Sequence, residues 1–201
     1  MIKAGYNVGR DGGTSSPVIT NVTFTGNSAS STGGAIYNNG SNTGGTSRPQ
    51  ITNTILWGNT APNGPQVFNS DATPTVAHSL IEGSGGSGGG WDSALGTDGG
   101  NNLDADPLFV DPAQPAGTDD TPGTADDGLR LLAGSPALDV GDNAALPGGV
   151  TTDLTGADRI QDDDSDGTAT VDLGAYEGGV VLPPPTVTAV SPTTAFPGRV
   201  V

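Results

Sequence analysis

The segment Asp162-Asp163-Asp164-Ser165-Asp166-Gly167 places alternate carboxylates at Asp162, Asp164 and Asp166 ahead of a turn glycine. Such an all-oxygen donor set suits a hard cation such as Ca2+, which takes roughly six to eight oxygen ligands. An EF-hand would need Glu where the chain has Leu173, and Asp172 stands one residue early. The expected site is therefore a looser calcium loop of Asp162, Asp164, Asp166 and Asp172, and a solvated acidic turn is its alternative. A second acidic stretch, Asp119-Asp120 and Asp126-Asp127-Gly128 around Pro122-Gly123, reads as an insertion between turns, with a second cation loop as its alternative. Asp104, Asp106 and Asp111 border the apolar run Leu108-Phe109-Val110 and are expected to cap turns. His78, the single histidine, is expected to make an ordinary hydrogen bond at a chain corner.

Other chemistries lack their residues. There is no Cys, so disulfides and thiolate metal sites are excluded. Lys and Arg total six against a net charge of −16, which excludes a basic nucleic-acid face. No Gly-x-Ser-x-Gly elbow is present for a serine hydrolase. Asp-Asp pairs are frequent by composition and do not single out a two-carboxylate glycosidase. No apolar run approaches the ~18 residues that span a membrane. Residues 1–91 are neutral, whereas residues 92–177 carry nineteen acids against Arg130 and Arg159. Two halves with different tasks are expected.

The elements that position these residues follow from a repeat. Tyr6-Asn7, Tyr37-Asn38 and Phe68-Asn69 recur at equal spacing. Pro17-Val18-Ile19-Thr20-Asn21 returns as Pro49-Gln50-Ile51-Thr52-Asn53, and more weakly as Pro74-Thr75-Val76-Ala77-His78. Within each copy short β-branched runs alternate between Gly, Pro, Asn and Ser, with no helical period. Short strands recurring every thirty-odd residues describe rungs of a parallel β-solenoid, in which like residues stack on like. Tyr6, Tyr37 and Phe68 should form an aromatic column, and Asn21/Asn53 and Asn27/Asn59 corner ladders. Ile51 should face inward and Gln50 outward. The Gly/Ser run Gly83–Gly90 reads as a mobile loop leaving the solenoid, whose core then continues.

Gly33-Gly34-Ala35-Ile36 and Phe24…Asn27, with Leu56…Asn59 a near copy, resemble the GGA(I/L/V) and FxxN repeats of polymorphic outer membrane proteins. The resemblance covers roughly residues 1–83. It implies an all-β, right-handed parallel β-helix and an extracellular or bacterial cell-surface location. Gly64-Pro65-Gln66-Val67 departs from the pattern, so distortion is expected there.

Asp104–Asp111, Gly134–Gly141 and Val171–Glu177 together resemble the C-terminal part of bacterial β-helix proteins of the choice-of-anchor type. Leu182-Pro183-Pro184-Pro185 is a stiff spacer. The stretch from Thr186 is similar to the start of an IPT/TIG immunoglobulin-like domain, although Ala195 stands for an expected Gly. The expected organisation is a β-helix over 1–177, regular over 1–83 and irregular and acidic over 84–177, where it forms a loop-rich cap. A linker over 178–185 and a truncated Ig-like start over 186–201 follow, and the chain is expected to continue into further domains. The function implied is a non-catalytic stalk or adhesin-type scaffold that presents loops to polysaccharide or cell-surface glycans. The alternative is a β-helix polysaccharide lyase or glycoside hydrolase whose active turns lie outside these residues.

Overall fold

The computed structural model describes residues 5–9, 12–40, 44–163 and 166–181. Asp164, the linker beyond residue 181 and the Ig-like start lie outside them. The first rung holds β1 (Gly5–Val8), β2 (Thr14–Ser15), β3 (Val18–Thr20) and β4 (Thr23–Thr25). The second repeats them as β5 (Ile36–Asn39), β6 (Thr46–Ser47), β7 (Gln50–Thr52) and β8 (Ile55–Trp57). The third holds β9 (Val67–Ser70), β10 (Thr75–Ala77) and β11 (Leu80–Ile81). Each strand pairs in parallel with its equivalent one rung away: Tyr6 with Tyr37 and Phe68, Ile19 with Ile51 and Val76, Phe24 with Leu56 and Ile81. The chain is thus an all-β parallel β-helix.

The rung length changes along the axis. Equivalent asparagines stand 31 or 32 residues apart in the first two rungs, but Thr54 meets Ser79 after 25. The third rung lacks a counterpart of β6, and Thr73 donates directly to the Ser47 carbonyl. A final strand, β12 (Thr97–Asp98), pairs with β10. Between β11 and β12 a short 3-10 helix, Ser93–Leu95, takes the place of the next strand on the β1–β5–β9 sheet. Asn69 Nδ2 donates to the Ala94 carbonyl at 2.8 Å, and Leu95 and Trp91 join the core. The Gly/Ser run that precedes it is tied down. Asp104 accepts from the amides of Gly83 and Gly85, and Asp98 accepts from Gly88. Past this loop Trp91 and Leu95 join the solenoid core, whereas Leu103 and Leu131, expected to extend it, belong to a separate core and Leu108 is exposed.

The narrow interior holds stacked aliphatic rows, with Ile51, Leu56, Val76 and Ile81 fully buried and Gln50 exposed. Each such side chain contributes about 1.5–3 kcal/mol by leaving water. A second core lies outside the β4–β8–β11 sheet. Ile55 and Leu80 point outward there and pack against Phe109, Leu129, Leu131, Leu173 and Tyr176 of the acidic half. That half has little regular structure. β13 (Leu131–Leu132) pairs in parallel with β14 (Gly179–Val180), and isolated antiparallel bridges join Phe109 to Leu131 and Gln161 to Thr170.

A candidate cation site at the seam

One corner of the solenoid positions the acidic half. Asn21, Asn53, His78 and Asn101 turn the chain there with φ of 54°, 50°, 43° and 56°. Asn and His enter this left-handed region more readily than most residues, because a short polar side chain bonds locally. Asn53 Nδ2 donates back to Asn21 Oδ1, making the ladder expected from the repeat. His78 fills the third step. Its Nε2 lies 2.9 Å from Asn101 Nδ2 and its Nδ1 3.4 Å from the Val140 carbonyl. With the asparagine amide as donor, Nε2 accepts and Nδ1 is left to meet the Val140 carbonyl.

The same corner grips the acidic half. Asn53 exchanges two hydrogen bonds with the backbone of Asp142, at 3.0 and 2.8 Å, much as a strand partner would. Gly174 N donates to the Asn53 carbonyl, Asn21 Nδ2 to the Asp172 carbonyl, and Ala175 N to Thr23 Oγ1. Gly174 has φ +94°, and a Cβ there would stand 2.6 Å from Thr23 Oγ1 and 3.0 Å from Ile55 Cδ1. Only glycine lets the two backbones approach this closely.

Asp139, Asp163 and Asp172 converge at this seam, with one carboxylate oxygen of each within 4.8 Å of the others. Asp172 is wholly buried. Its Oδ1 accepts from Asp139 N and its Oδ2 from Gly178 N, both at 2.8 Å. Asp139 Oδ2 accepts from Asp163 N at 3.0 Å. Asp163 Oδ2 is closed off from solvent and has no hydrogen-bond partner. Burial pushes the Asp172 carboxyl up to about 7, aided by the negative charges of Asp163 and Asp139. Burial raises Asp163 in the same direction, with Asp162 adding to it. The one ion pair among the described residues, Arg159 to Glu177 at 2.7 Å, is also enclosed. Arg159 is committed to Glu177 and to the carbonyls of Gly174 and Ala175, so its charge serves that pair.

The expected calcium loop is thus divided. Asp172 lies in the cluster. Asp162 and Asp166 are exposed and accept from the amides of their own turn, Gly167 and Thr168. Asp164 lies outside the described residues. The cluster's other members are Asp139, from the Gly134–Gly141 phrase, and Asp163, from within the acidic run. Nothing in local spacing joins them, because the seam alone brings them together. The second acidic stretch closes on itself. Asp126 accepts from Thr118 N, Thr118 Oγ1 and Thr124 Oγ1, and these hydrogen bonds hold its carboxyl far below the usual carboxylate range. Asp127 is buried and accepts from Gly123 N, Thr124 N and the Tyr176 hydroxyl. Asp106 and Asp111 cap the amides two residues on, as expected.

The repeat motifs also acquire a physical meaning. Gly33 has φ +67°, and a Cβ on Gly34 would overlap the Pro65 carbonyl of the next rung. The Asn of Leu56…Asn59 donates to the Phe24 carbonyl of the rung before and accepts from Asn27. The distortion expected at Gly64–Val67 is absent, since Gly34, Ala35 and Ile36 all donate to its carbonyls. Gln66 replaces the small alanine by bonding Asn59 and Glu82.

Residues 21–39 match the repeat of the Chlamydia polymorphic membrane protein family. They span the first corner, β4, the glycine turn and β5. Comparison with curated proteins and with solved structures finds no match. A repeat of this type suggests a surface-exposed place in a bacterial outer membrane. Among the described residues no helix is long and apolar enough to cross a membrane.

Proposed function

We propose that this chain is part of a bacterial surface scaffold, a non-catalytic β-helix stalk of adhesin type that holds loops out to polysaccharide or cell-surface glycans. The observation that supports it most is the polymorphic membrane protein repeat at residues 21–39, which coincides with one corner, the glycine turn and the two strands β4 and β5. A rung-on-rung backbone ladder gives a rigid rod from little apolar residue. The choice-of-anchor-type phrases fit an acidic half that flanks a β-helix ahead of a spacer and an Ig-like module. On this reading residues 1–177 act as one unit.

The test has two arms. Intact cells of the producing bacterium are probed with an antibody to the described rungs, then lysed and probed again. Labelling before lysis is expected, and labelling only after lysis would overturn the surface reading. The purified chain is then incubated with a polysaccharide panel that includes polyuronates. Retention without release of reducing or unsaturated ends is expected of a scaffold, whereas product release would favour the lyase or hydrolase.

A further inference from the structure

We propose that the cleft between the first solenoid corner and the acidic half is a subsite for one neutral sugar unit of a glycan. The inference deepens the scaffold reading and rests on it for the class of ligand. The cleft has a volume of about 510 Å³. Small-molecule sites run to roughly 300–1,000 Å³ and favour the junctions between structural units. Three stretches build this one: the corner at Val22, the segment at Leu129, and the turn from Thr152 to Arg159. Leu129, Asp153, Arg159 and Tyr176 are buried and make its floor, whereas Thr152 and Leu154 stand exposed at its mouth.

The charges of the floor are already spent. Asp153 takes hydrogen bonds from the Thr155, Ala157 and Glu177 amides and from the Thr155 hydroxyl. Arg159 is paired with Glu177. An anion would also meet the nineteen acids of residues 92–177. An uncharged ligand is therefore favoured. Arg159 Nε, in a side chain 7% exposed, donates to nothing. A buried donor left this way suits a ligand that carries oxygen acceptors. Val22, Leu129 and Leu154 supply apolar wall. Tyr176 adds its ring, because its hydroxyl is held by Asp127 at 2.8 Å. A pyranose answers these demands in one small body, with an apolar C–H face for the carbons and neutral oxygens around its edge.

The experiment titrates the whole, isotopically labelled chain and follows its amide NMR shifts. Glucose, galactose and N-acetylglucosamine are the probes, with glucuronate and galacturonate as charged counterparts. At least one neutral sugar should saturate a single site with a dissociation constant of about 1–5 mM, ordinary for a ligand of this size. The shifts should centre on Val22, Leu129, Leu154 and Ala175. Leu154→Glu, at a position 49% exposed, should weaken binding about tenfold. Ile160→Glu, at a position 45% exposed and outside the cleft lining, should leave it unchanged. Both variants should keep the circular dichroism spectrum of the unaltered chain. No saturable shift with any neutral sugar would overturn the proposal. So would tighter binding of a uronate, or shifts centred on Tyr6, Tyr37 and Phe68, or binding that survives Leu154→Glu. Labelling of intact cells decides the surface reading and the titration decides the cleft, so the two fall separately.

Discussion

Ile51 and Gln50 are neighbours with opposite fates, because a strand turns successive side chains to opposite faces. Ile51→Asp should destabilise by about 3–5 kcal/mol, since it buries a charge without a partner. Gln50→Asp should change stability by less than about 0.5 kcal/mol. Urea unfolding of both variants checks this, and equal losses would refute the facing assignment. Tyr176 presents a different buried problem. Burial, and then the Asp127 carboxylate to which it donates, hold its hydroxyl well above the ordinary tyrosine range. Tyr176→Phe removes a donor to a fully buried carboxylate and should cost about 1–3 kcal/mol. Asp98 is the acid-sensitive residue of the glycine loop. Hydrogen bonds from Gly88 N, Gly100 N and Ser87 Oγ, in that order of weight, lower its carboxyl from 3.8 to about 2. A depressed folded value means that its stabilisation is complete above the unfolded value and is lost as pH falls through the folded one. The Gly88 and Gly100 amides should therefore lose hydrogen-exchange protection as pH drops from 3.8 toward about 2. Asp98→Asn should leave no such step.

Among the elements, those with a repeat were legible and those without one were not. The aromatic column stands as the spacing implied: Tyr6 and Tyr37 are stacked at 5.1 Å, and Tyr37 and Phe68 at 5.5 Å. The Asn21–Asn53 ladder and the place of His78 could be read because a side chain at a corner meets its equivalent one rung away. Asn7, Asn38 and Asn69 form an internal ladder, with Asn7 donating to Asn38 at 3.3 Å and Asn38 to Asn69 at 2.8 Å. Its signal lies in the Tyr-Asn and Phe-Asn pairs, whose asparagines recur at the same spacing as the rings. The run Ile55-Leu56-Trp57 held another unread signal. A strand buried on both faces reads as continuously apolar, and β8 has the solenoid core on one side and the acidic half on the other. Asn59→Ala should test the motif at this scale. It removes the bond to the Phe24 carbonyl and strands Gln66, so a loss of about 1–3 kcal/mol is expected by denaturant unfolding.

Across the whole molecule, a neutral ladder carries an acidic flank. The two are joined by backbone contacts at Asn21, Asn53 and Thr23 and by the outer core around Ile55 and Leu80. Composition showed two halves. It could not show that the second lies along the side of the first, because that depends on one corner and on Gly174, which no period marks. The Asp139–Asp163–Asp172 cluster was hidden for the same reason: its members are neighbours only after the flank has folded back. Like charges crowd residues 92–177, and salt weakens their repulsion over about a Debye length. Added NaCl should therefore raise Tm modestly even without Ca2+, and scanning calorimetry across ionic strength would check this. Rung-on-rung stacking holds the molecule together, and proton NMR reads it directly. Nuclear Overhauser contacts are expected from the Tyr37 ring to both the Tyr6 and Phe68 rings, and from the Ile51 methyls to those of Ile19 and Val76. Contacts confined to sequence neighbours at these positions would contradict it.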